Sequence, residues 1–199
     1  MEVFIMRHGK TPMDVLKRSD GWLDLPLSDE GRMGIVPAQQ YLKLEKIKTI
    51  FAPPLRRTEE TAHIVQSGIL TGPDVKRAKD AITWDLGILA GTPKRYSKPK
   101  VVRLMANPTA KPKGGESYGD FKKRYMGWFK REVVPTAERE GAVLVLCSGS
   151  NLRLLGKVLL GNEDDVNLDE GGLAKLCYAN GKWTFQDIMG DKDTSRHMS

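Results

Sequence analysis

Two segments of the chain carry residue types that suit the binding and transfer of a phosphoryl group. Arg7 and His8 directly follow the apolar run 3–6, and Arg57 comes one short turn after a second apolar run, 47–51. An imidazole can attack a phosphoryl group and hold it as a phosphohistidine, which divides one difficult displacement into two easier steps. Guanidinium groups complement such a nucleophile because they bond two phosphate oxygens at once and stay charged.

These residues need a scaffold that brings them together, and the hydrophobic pattern predicts one. Buried strands that end in polar loops are typical of open α/β sheets, in which sites lie at the carboxyl ends of the strands. We predict an α/β fold, a three-layer α/β/α sandwich around a mostly parallel sheet. The predicted strands are 3–6, 47–51, 81–86 and 142–147, followed by a hairpin of 173–178 and 182–185, and the predicted helices are 28–44, 58–65, 117–134 and 152–160.

Composition excludes several classes of protein. The chain has 199 residues, of which 40% are hydrophobic and 29% charged, the balance of one soluble globular domain. No apolar run approaches the roughly 18 residues that a membrane span needs, and the first residues carry no basic signal region, so we expect no secretion. Cys147 and Cys177 are too few for a disulfide scaffold and predict free thiols in the cytoplasm. We predict a single domain over 1–189 and a polar tail over 190–199.

The net charge of +7 is concentrated in one part of the chain. Between residues 94 and 124 there are ten Lys and Arg but only two acidic residues, Glu116 and Asp120. This basic zone overlaps a Pro-, Gly- and Lys-rich segment, 91–116, that we interpret as a lid. The zone predicts an anionic ligand, or alternatively a solvated, loop-rich surface. Without interleaved aromatic residues, we do not expect long nucleic acid as the partner.

Five short motifs occur in order along the chain. They are Arg7-His8-Gly9-Lys10-Thr11; a run through Asp14, Arg18, Gly21, Trp22, Asp24, Pro26, Leu27, Ser28 and Gly31; Leu55-x-Arg57-Thr58-x-Glu60-Thr61-Ala62; Gly87-x-x-x-Gly91; and Gly115-Glu116-Ser117 before a helix containing Arg124. Together they resemble the histidine phosphatase superfamily, which has an RHG motif and a phosphoglycerate-mutase-like fold. The resemblance extends from residue 2 to about residue 185.

The resemblance implies a role for individual residues. His8 is then the nucleophile, and Arg7 and Arg57 clamp the phosphate. Further ligand contacts fall on Thr11, Arg18, Gly21, Glu116 and Gly149. No metal and no organic cofactor is implied, and the sequence shows no His, Cys and Asp cluster at metal-ligand spacing.

One departure from the family pattern concerns a second histidine. The segment Cys147-Ser148-Gly149-Ser150-Asn151-Leu152-Arg153 places Ser148 where the family has that histidine. Loss of a charge-assisted donor to a transition-state oxygen typically lowers the rate by about 10²–10³. This predicts a slow enzyme, whether the serine reflects natural loss, a changed role or a substitution introduced to trap a ligand.

A second departure concerns the general acid, because Thr83 occupies the position of the family's usual glutamate. In the predicted strand 81–86, Asp85 lies two residues further on and would point to the same face. Asp85 is therefore one candidate acid, or else a carboxylate paired with an arginine of the pocket. Glu116 is a second candidate, or else a helix N-terminal residue with a structural role.

Three functions follow from these features. The first is a phosphatase acting on a small anionic phosphomonoester such as a nucleotide or sugar phosphate. The second is a mutase, which we favour less because Thr83 and Ser148 replace groups that mutases usually retain. The third is a pseudophosphatase that binds phosphorylated ligands with little turnover. The oligomeric state is not predicted.

Overall fold

Six strands form one sheet in the computed structural model, which describes residues 1–162 and 166–189. They are β1 (Glu2–Arg7), β2 (Thr49–Ala52), β3 (Asp74–Arg77), β4 (Ala142–Cys147), β5 (Leu173–Ala179) and β6 (Lys182–Met189). The order across the sheet is β3-β2-β4-β1-β5-β6. Strands β1 to β4 run parallel, whereas β5 pairs antiparallel with β1 and with β6. The predicted α/β class and mostly parallel sheet are confirmed; the tail predicted at 190–199 lies outside the described residues.

The central strands are apolar on both faces because helices cover both sides of the sheet. In β1, Val3 and Ile5 belong to one hydrophobic core and Phe4 and Met6 to another, and all four side chains are fully buried. Successive side chains of a strand point to opposite faces, so the sheet separates these two cores. The three-layer arrangement is therefore confirmed.

Each face of the sheet has its own set of helices. The helices are α1 (Pro12–Val15), α2 (Asp29–Leu42), α3 (Arg56–Gly68), α4 (Lys94–Ala106), α5 (Tyr118–Trp128), α6 (Val134–Glu140) and α7 (Gly149–Leu155), with π-helical turns at Phe129–Val133 and Gly156–Leu160 and 3₁₀ turns at Lys79–Ala81 and Gly87–Leu89. Helices α2 and α3 pack on one core, and the aromatic side chains of α5 fill the other, as predicted. Across 1–162 and 166–189, no helix combines the length and apolar character that crossing a bilayer requires.

The strand predicted at 81–86 is wrong, because this segment forms no strand. Its backbone is held by a side chain instead: the Arg124 guanidinium donates to the carbonyl oxygens of Ile82 (2.9 Å) and Thr83 (3.3 Å). The third parallel strand is β3, which the hydrophobic pattern does not reveal. Three of its four residues are exposed, as expected for a charged strand at the edge of a sheet.

The loop that carries His8 is held by a close backbone contact with α2. An ideal Cβ on Gly31 would lie 2.1 Å from the carbonyl oxygen of Lys10, and one on Gly9 would lie 2.6 Å from the carbonyl oxygen of Gly31. Glycine lets the two backbones approach this closely because it has no Cβ. Ser28, the N-cap of α2, donates to the same Lys10 oxygen from its backbone N–H (2.9 Å) and its hydroxyl (3.1 Å). The chain directly after β1 is thereby fixed.

We expect Gly31→Ala to destabilise the protein by roughly 1–3 kcal/mol, because the new methyl group must push apart two backbones. Gly34→Ala is the matched control on the same helix, since an ideal Cβ there meets nothing within 4 Å. It should leave stability unchanged or raise it by up to about 1 kcal/mol through helix propensity. Urea unfolding of both variants measures the difference, and equal stabilities would contradict the close-contact interpretation.

Candidate active site

A cavity of about 390 Å³ lies at the carboxyl ends of β1 and β4. These strands are parallel neighbours in register, with Arg7 opposite Cys147, so the residues that follow them meet at one edge of the sheet. Of the site residues predicted from the sequence, the structure brings six to the lining of this cavity: Arg7, His8, Gly21, Arg57, Ser148 and Gly149.

His8 is almost completely buried at the floor of the site, with 2% of its surface exposed. Its Nδ1 lies 2.9 Å from the carbonyl oxygen of Gly9, which makes Nδ1 the protonated nitrogen and leaves the lone pair on Nε2. Burial, together with the positive charge of Arg57, lowers the pKa of His8 to about 3. The imidazole is therefore neutral at pH 7, the form in which it can act as a nucleophile.

Arg57 places a fully buried guanidinium beside this histidine. Its Nη atoms donate to the carbonyl oxygens of Leu23 (2.7 Å) and Gly21 (2.8 Å), and its buried Nε has no partner among the described residues. Burial lowers its pKa, whereas the charges of Asp20 and Asp14 oppose that shift. Within the described chain it makes no direct ion pair, which suits it to an anionic ligand.

Arg7 presents a second guanidinium from the end of β1. One Nη donates to the carbonyl oxygen of Leu168 (2.8 Å), the other pairs with Glu170, and the buried Nε has no partner in the described chain. Gly149 lies against this group, since an ideal Cβ on it would be 3.9 Å from the Arg7 Cζ. Ser148 also lines the cavity, and its backbone N–H donates to the Asn151 side chain (3.0 Å).

Two carboxylates that the sequence analysis did not assign to the site lie next to His8. Asp14 and Asp20 each place an oxygen, and His8 a ring nitrogen, within 4.8 Å of one another. Burial would raise the pKa of Asp14, but His8 and the Lys94 ammonium, 2.9 Å away, hold it below its usual range. Burial, and then the charge of Asp14, raise the pKa of Asp20 to about 6, although Arg57 opposes the shift.

The sequence offered one signal for these carboxylates: both lie in the motif-bearing stretch between the RHG motif and Gly21. Their spacing with His8 also resembles that of metal ligands. However, both oxygens of Asp14 are already engaged, one by Lys94 and the other by the backbone N–H and hydroxyl of Thr11. With an ammonium group already on Asp14 and Arg57 close by, we assign no metal ion here.

Thr11 and Arg18, predicted to contact the ligand, do not belong to the lining of the cavity. Thr11 is fully buried and caps α1, where its hydroxyl lies between Asp14 and Asp20. Arg18 donates to the carbonyl oxygen of Gly91 at 2.6 Å. Both side chains therefore stabilise the backbone around the cavity.

Asp85 and Glu116, the two predicted acids, also lie outside the lining, whereas Thr83 belongs to it. The expectation that Asp85 shares a face with Thr83 fails because 81–86 is not a strand. The Asp85 carboxylate accepts from the backbone N–H of Gly87 (3.0 Å). Glu116 pairs with Arg124 and accepts from the Asp85 backbone N–H (3.1 Å). These contacts brace the loop between β3 and α4.

Helix α4 occupies part of the segment interpreted as a lid and presents one face to the cavity. Lys94, Ser97, Lys98 and Val101 line it, at the spacing of one helical face. Arg153 of α7 adds a further positive charge to the lining. Two of the ten basic residues in the 94–124 zone therefore lie at the site, and Arg124 is used to brace the loop.

Proteins of similar sequence include phosphoglycerate mutases. A protein of Bartonella bacilliformis named 2,3-bisphosphoglycerate-dependent phosphoglycerate mutase is 28% identical over 177 residues, covering 83% of this chain and 85% of that protein. A protein of Mesorhizobium japonicum with the same name is 28% identical over 186 residues, covering 87% of this chain and 89% of that protein.

Solved structures of similar fold include phosphatases and a mutase. A mycobacterial glucosyl-3-phosphoglycerate phosphatase superposes with a TM-score of 0.77 at 22% identity, covering 96% of this chain and 99% of its own. Phosphoglycerate mutase of Bacillus anthracis superposes with a TM-score of 0.78 at 19% identity, covering 94% of this chain and 92% of its own. The α-ribazole phosphatase of Shigella flexneri superposes with a TM-score of 0.77 at 17% identity, covering 96% of each chain. At these identities the likeness shows the fold.

A family model decides the assignment. The model of branch 1 of the histidine phosphatase superfamily matches residues 3–189, nearly the whole chain and all the motifs that carry the resemblance. The cavity contains the histidine and both arginines on which that resemblance rests. The chain belongs to the histidine phosphatase superfamily, branch 1.

Proposed function

We propose that the protein is a phosphatase that hydrolyses a small anionic phosphomonoester through a phosphohistidine at His8. The observation that carries this proposal is the pairing of a neutral, buried imidazole with two guanidinium groups in one cavity. His8 Nε2 carries a lone pair because Nδ1 faces the Gly9 carbonyl oxygen. Arg7 and Arg57 both line the cavity, and each keeps a buried Nε–H without a partner in the described chain.

The same contacts account for the stability of the intermediate. When Nε2 bonds to phosphorus, the ring becomes positively charged and Nδ1 keeps its proton. The Gly9 carbonyl oxygen, 2.9 Å from Nδ1, then accepts a stronger, charge-assisted hydrogen bond. The nearby carboxylates of Asp14 and Asp20 further favour the positive ring. Arg7 and Arg57 balance the charge of the phosphoryl oxygens.

In this proposal, Ser148 makes turnover slow. Its side chain can supply a neutral hydrogen bond at the cavity wall but no positive charge. Arg7, which lies next to Gly149, is partly neutralised by Glu170. The net positive charge that faces the developing charge of the phosphoryl group is therefore smaller than the combined charge of Arg7 and Arg57.

The cavity suits a small substrate with more than one anionic group. Its volume of about 390 Å³ is in the range of small-molecule sites. Lys98 and Arg153 line it in addition to the phosphate-binding arginines, and these groups can bind a second phosphate or carboxylate. A nucleotide or sugar phosphate fits this description. The proposed reaction needs neither a metal ion nor an organic cofactor, and the two free cysteines fit a cytoplasmic protein.

We expect His8 to become phosphorylated when the protein is mixed with a generic phosphomonoester such as p-nitrophenyl phosphate. Intact-mass measurement should show one added phosphate that is labile to acid and stable to alkali, and EDTA should not reduce the labelling. His8→Ala is the control and should not be labelled. Labelling of this variant, or no labelling of the wild type, would contradict the proposal.

A second candidate function is a pseudophosphatase that binds a phosphorylated ligand without turnover. The presence of Ser148 rather than a charged donor at the cavity favours it. The mutase names of the similar sequences favour transfer of the phosphoryl group back to substrate. However, Thr83 and Ser148 leave the site without two groups that retention of the phosphoryl group would use, so we favour hydrolysis.

Ser148→His tests whether the scaffold is otherwise built for catalysis. A histidine at this position adds a charge-assisted donor, and we expect turnover to rise by about 10²–10³. Ser150→His is the matched control, because it adds the same side chain to the same cavity wall two residues further on. A steady-state assay compares the two. No gain at position 148, with phosphorylated ligands still raising Tm, would support the pseudophosphatase.

A further inference from the structure

The hydroxyl of Thr11 lies between two carboxyl groups, and it has only one proton to share. Its Oγ1 is 3.1 Å from Asp14 Oδ2 and 3.0 Å from Asp20 Oδ1, and it accepts from the Asp14 backbone N–H at 3.1 Å. A hydroxyl donates one hydrogen bond and accepts two. If both carboxyl groups were ionised, one of these close oxygen pairs would lack a proton. A proton on one of the two carboxyl groups would make both of these contacts hydrogen bonds.

The contacts of Asp14 identify Asp20 as the protonated group. Asp14 Oδ1 accepts from the Lys94 ammonium at 2.9 Å, and Oδ2 accepts from the Thr11 backbone N–H at 3.1 Å. Such donors stabilise the ionised form. Asp20 Oδ1 has only the Thr11 hydroxyl, and no hydrogen bond to Oδ2 occurs in the described chain. With Asp20 protonated and donating to Thr11, every contact of the hydroxyl is a hydrogen bond.

Asp20 is also placed where a proton is needed. It lines the cavity and has an oxygen within 4.8 Å of the His8 ring nitrogen, whereas Asp85 and Glu116 lie outside the lining. A phosphorus poised for attack lies about 3–3.5 Å from the nucleophile, and the leaving oxygen is one bond further. The Asp20 oxygen lies at a comparable distance from a ring nitrogen of His8, and rotation about the Cβ–Cγ bond would turn its proton into the cavity.

We propose that Asp20 is the general acid of this site, a role that rests on the proposed phosphatase function. His8 Nε2 forms a bond to phosphorus, the bond from phosphorus to the leaving oxygen breaks, and the Asp20 proton passes to that oxygen. The Thr11 hydroxyl can then turn its proton toward the ionised Asp20. In the second step water attacks phosphorus, Asp20 takes a proton from it, and the bond to Nε2 breaks. Alcohol and phosphate are released, and both residues regain their starting states.

The electrostatic surroundings of Asp20 support this role. The groups that face it are Asp14 on α1, Arg57 on α3, Lys94 on α4, the Thr11 hydroxyl and His8. Burial and Asp14 raise its pKa to about 6, whereas Arg57, the hydrogen bond with Thr11 and Lys94 oppose that shift. A bound phosphate dianion would raise the pKa further, which keeps the proton on Asp20 until the leaving oxygen takes it.

Loss of Asp20 should matter most for substrates whose leaving group needs a proton. We expect Asp20→Asn to slow first-turnover release of glycerol from glycerol 2-phosphate by about 10²–10⁴-fold. Release of p-nitrophenol from p-nitrophenyl phosphate should slow by less than about tenfold, because that phenolate leaves without general-acid help. Rapid-quench measurement of the first turnover separates this step from hydrolysis of the intermediate. Asp85→Asn is the matched variant and should slow both substrates to the same extent, if at all.

Two results would overturn the role of Asp20 and leave the proposed phosphatase intact: equal slowing of both substrates by Asp20→Asn, or a leaving-group-dependent slowing by Asp85→Asn. Absence of any His8 labelling in the wild type overturns the phosphatase, and with it the acid role. The two failures are therefore distinguishable.

Thermal unfolding tests the proton on Asp20 without turnover. Between pH of about 4 and 6 the folded protein holds a proton at Asp20 that the unfolded chain has released, so this group lowers stability as pH rises through that window. Asp20→Asn should therefore raise Tm by several degrees at pH 7.5 and have little effect at pH 4. Asp74→Asn, which removes an exposed carboxylate, controls for net charge. An Asp20→Asn effect on Tm that is the same at both pH values would count against the protonated carboxyl group.

Discussion

The parallel pairing of β1 with β4 is the interaction on which the rest of the structure depends. It places Arg7 opposite Cys147, and the backbone N–H of His8 continues the ladder by donating to the Cys147 carbonyl oxygen at 3.1 Å. The two chain segments that leave these strands must therefore diverge at the same edge of the sheet. The cavity forms in that opening, with His8 on one side and Ser148 on the other. Both cores, on opposite faces, hold this pairing in place.

A second constraint is the balance of charge around two buried side chains of the site. Arg57 is fully buried and His8 nearly so, which forces the imidazole to stay neutral and leaves the guanidinium charge without a direct ion pair in the described chain. Asp14 compensates part of that charge from a distance and, after burial, raises the pKa of Asp20. The same burial that keeps the His8 imidazole neutral thus raises the pKa of Asp20.

Much of the fold could be predicted from the sequence because its decisive strands are buried on both faces. The residues of β1 and β4 form apolar runs. Arg7 ends β1, His8 follows it and Arg57 follows β2, and all three line the cavity. The edge strand β3 and the irregular segment 81–86 were missed or misassigned, because exposure and a side-chain brace, not hydrophobic pattern, decide their structure. Asp20 could not be identified because its role depends on Thr11 and Asp14 meeting it in space, which no spacing in the sequence records.

The antiparallel pairing of β5 with β1 has a consequence for how the protein folds. Glu170 pairs with Arg7, and the Gly171 backbone N–H donates to the carbonyl oxygens of Arg7 and His8, so residues near the end of the chain complete a site that begins at its seventh residue. Such long sequence separations slow folding and postpone the final contacts. The loop that carries His8 is therefore held from both sides only after β5 has paired with β1.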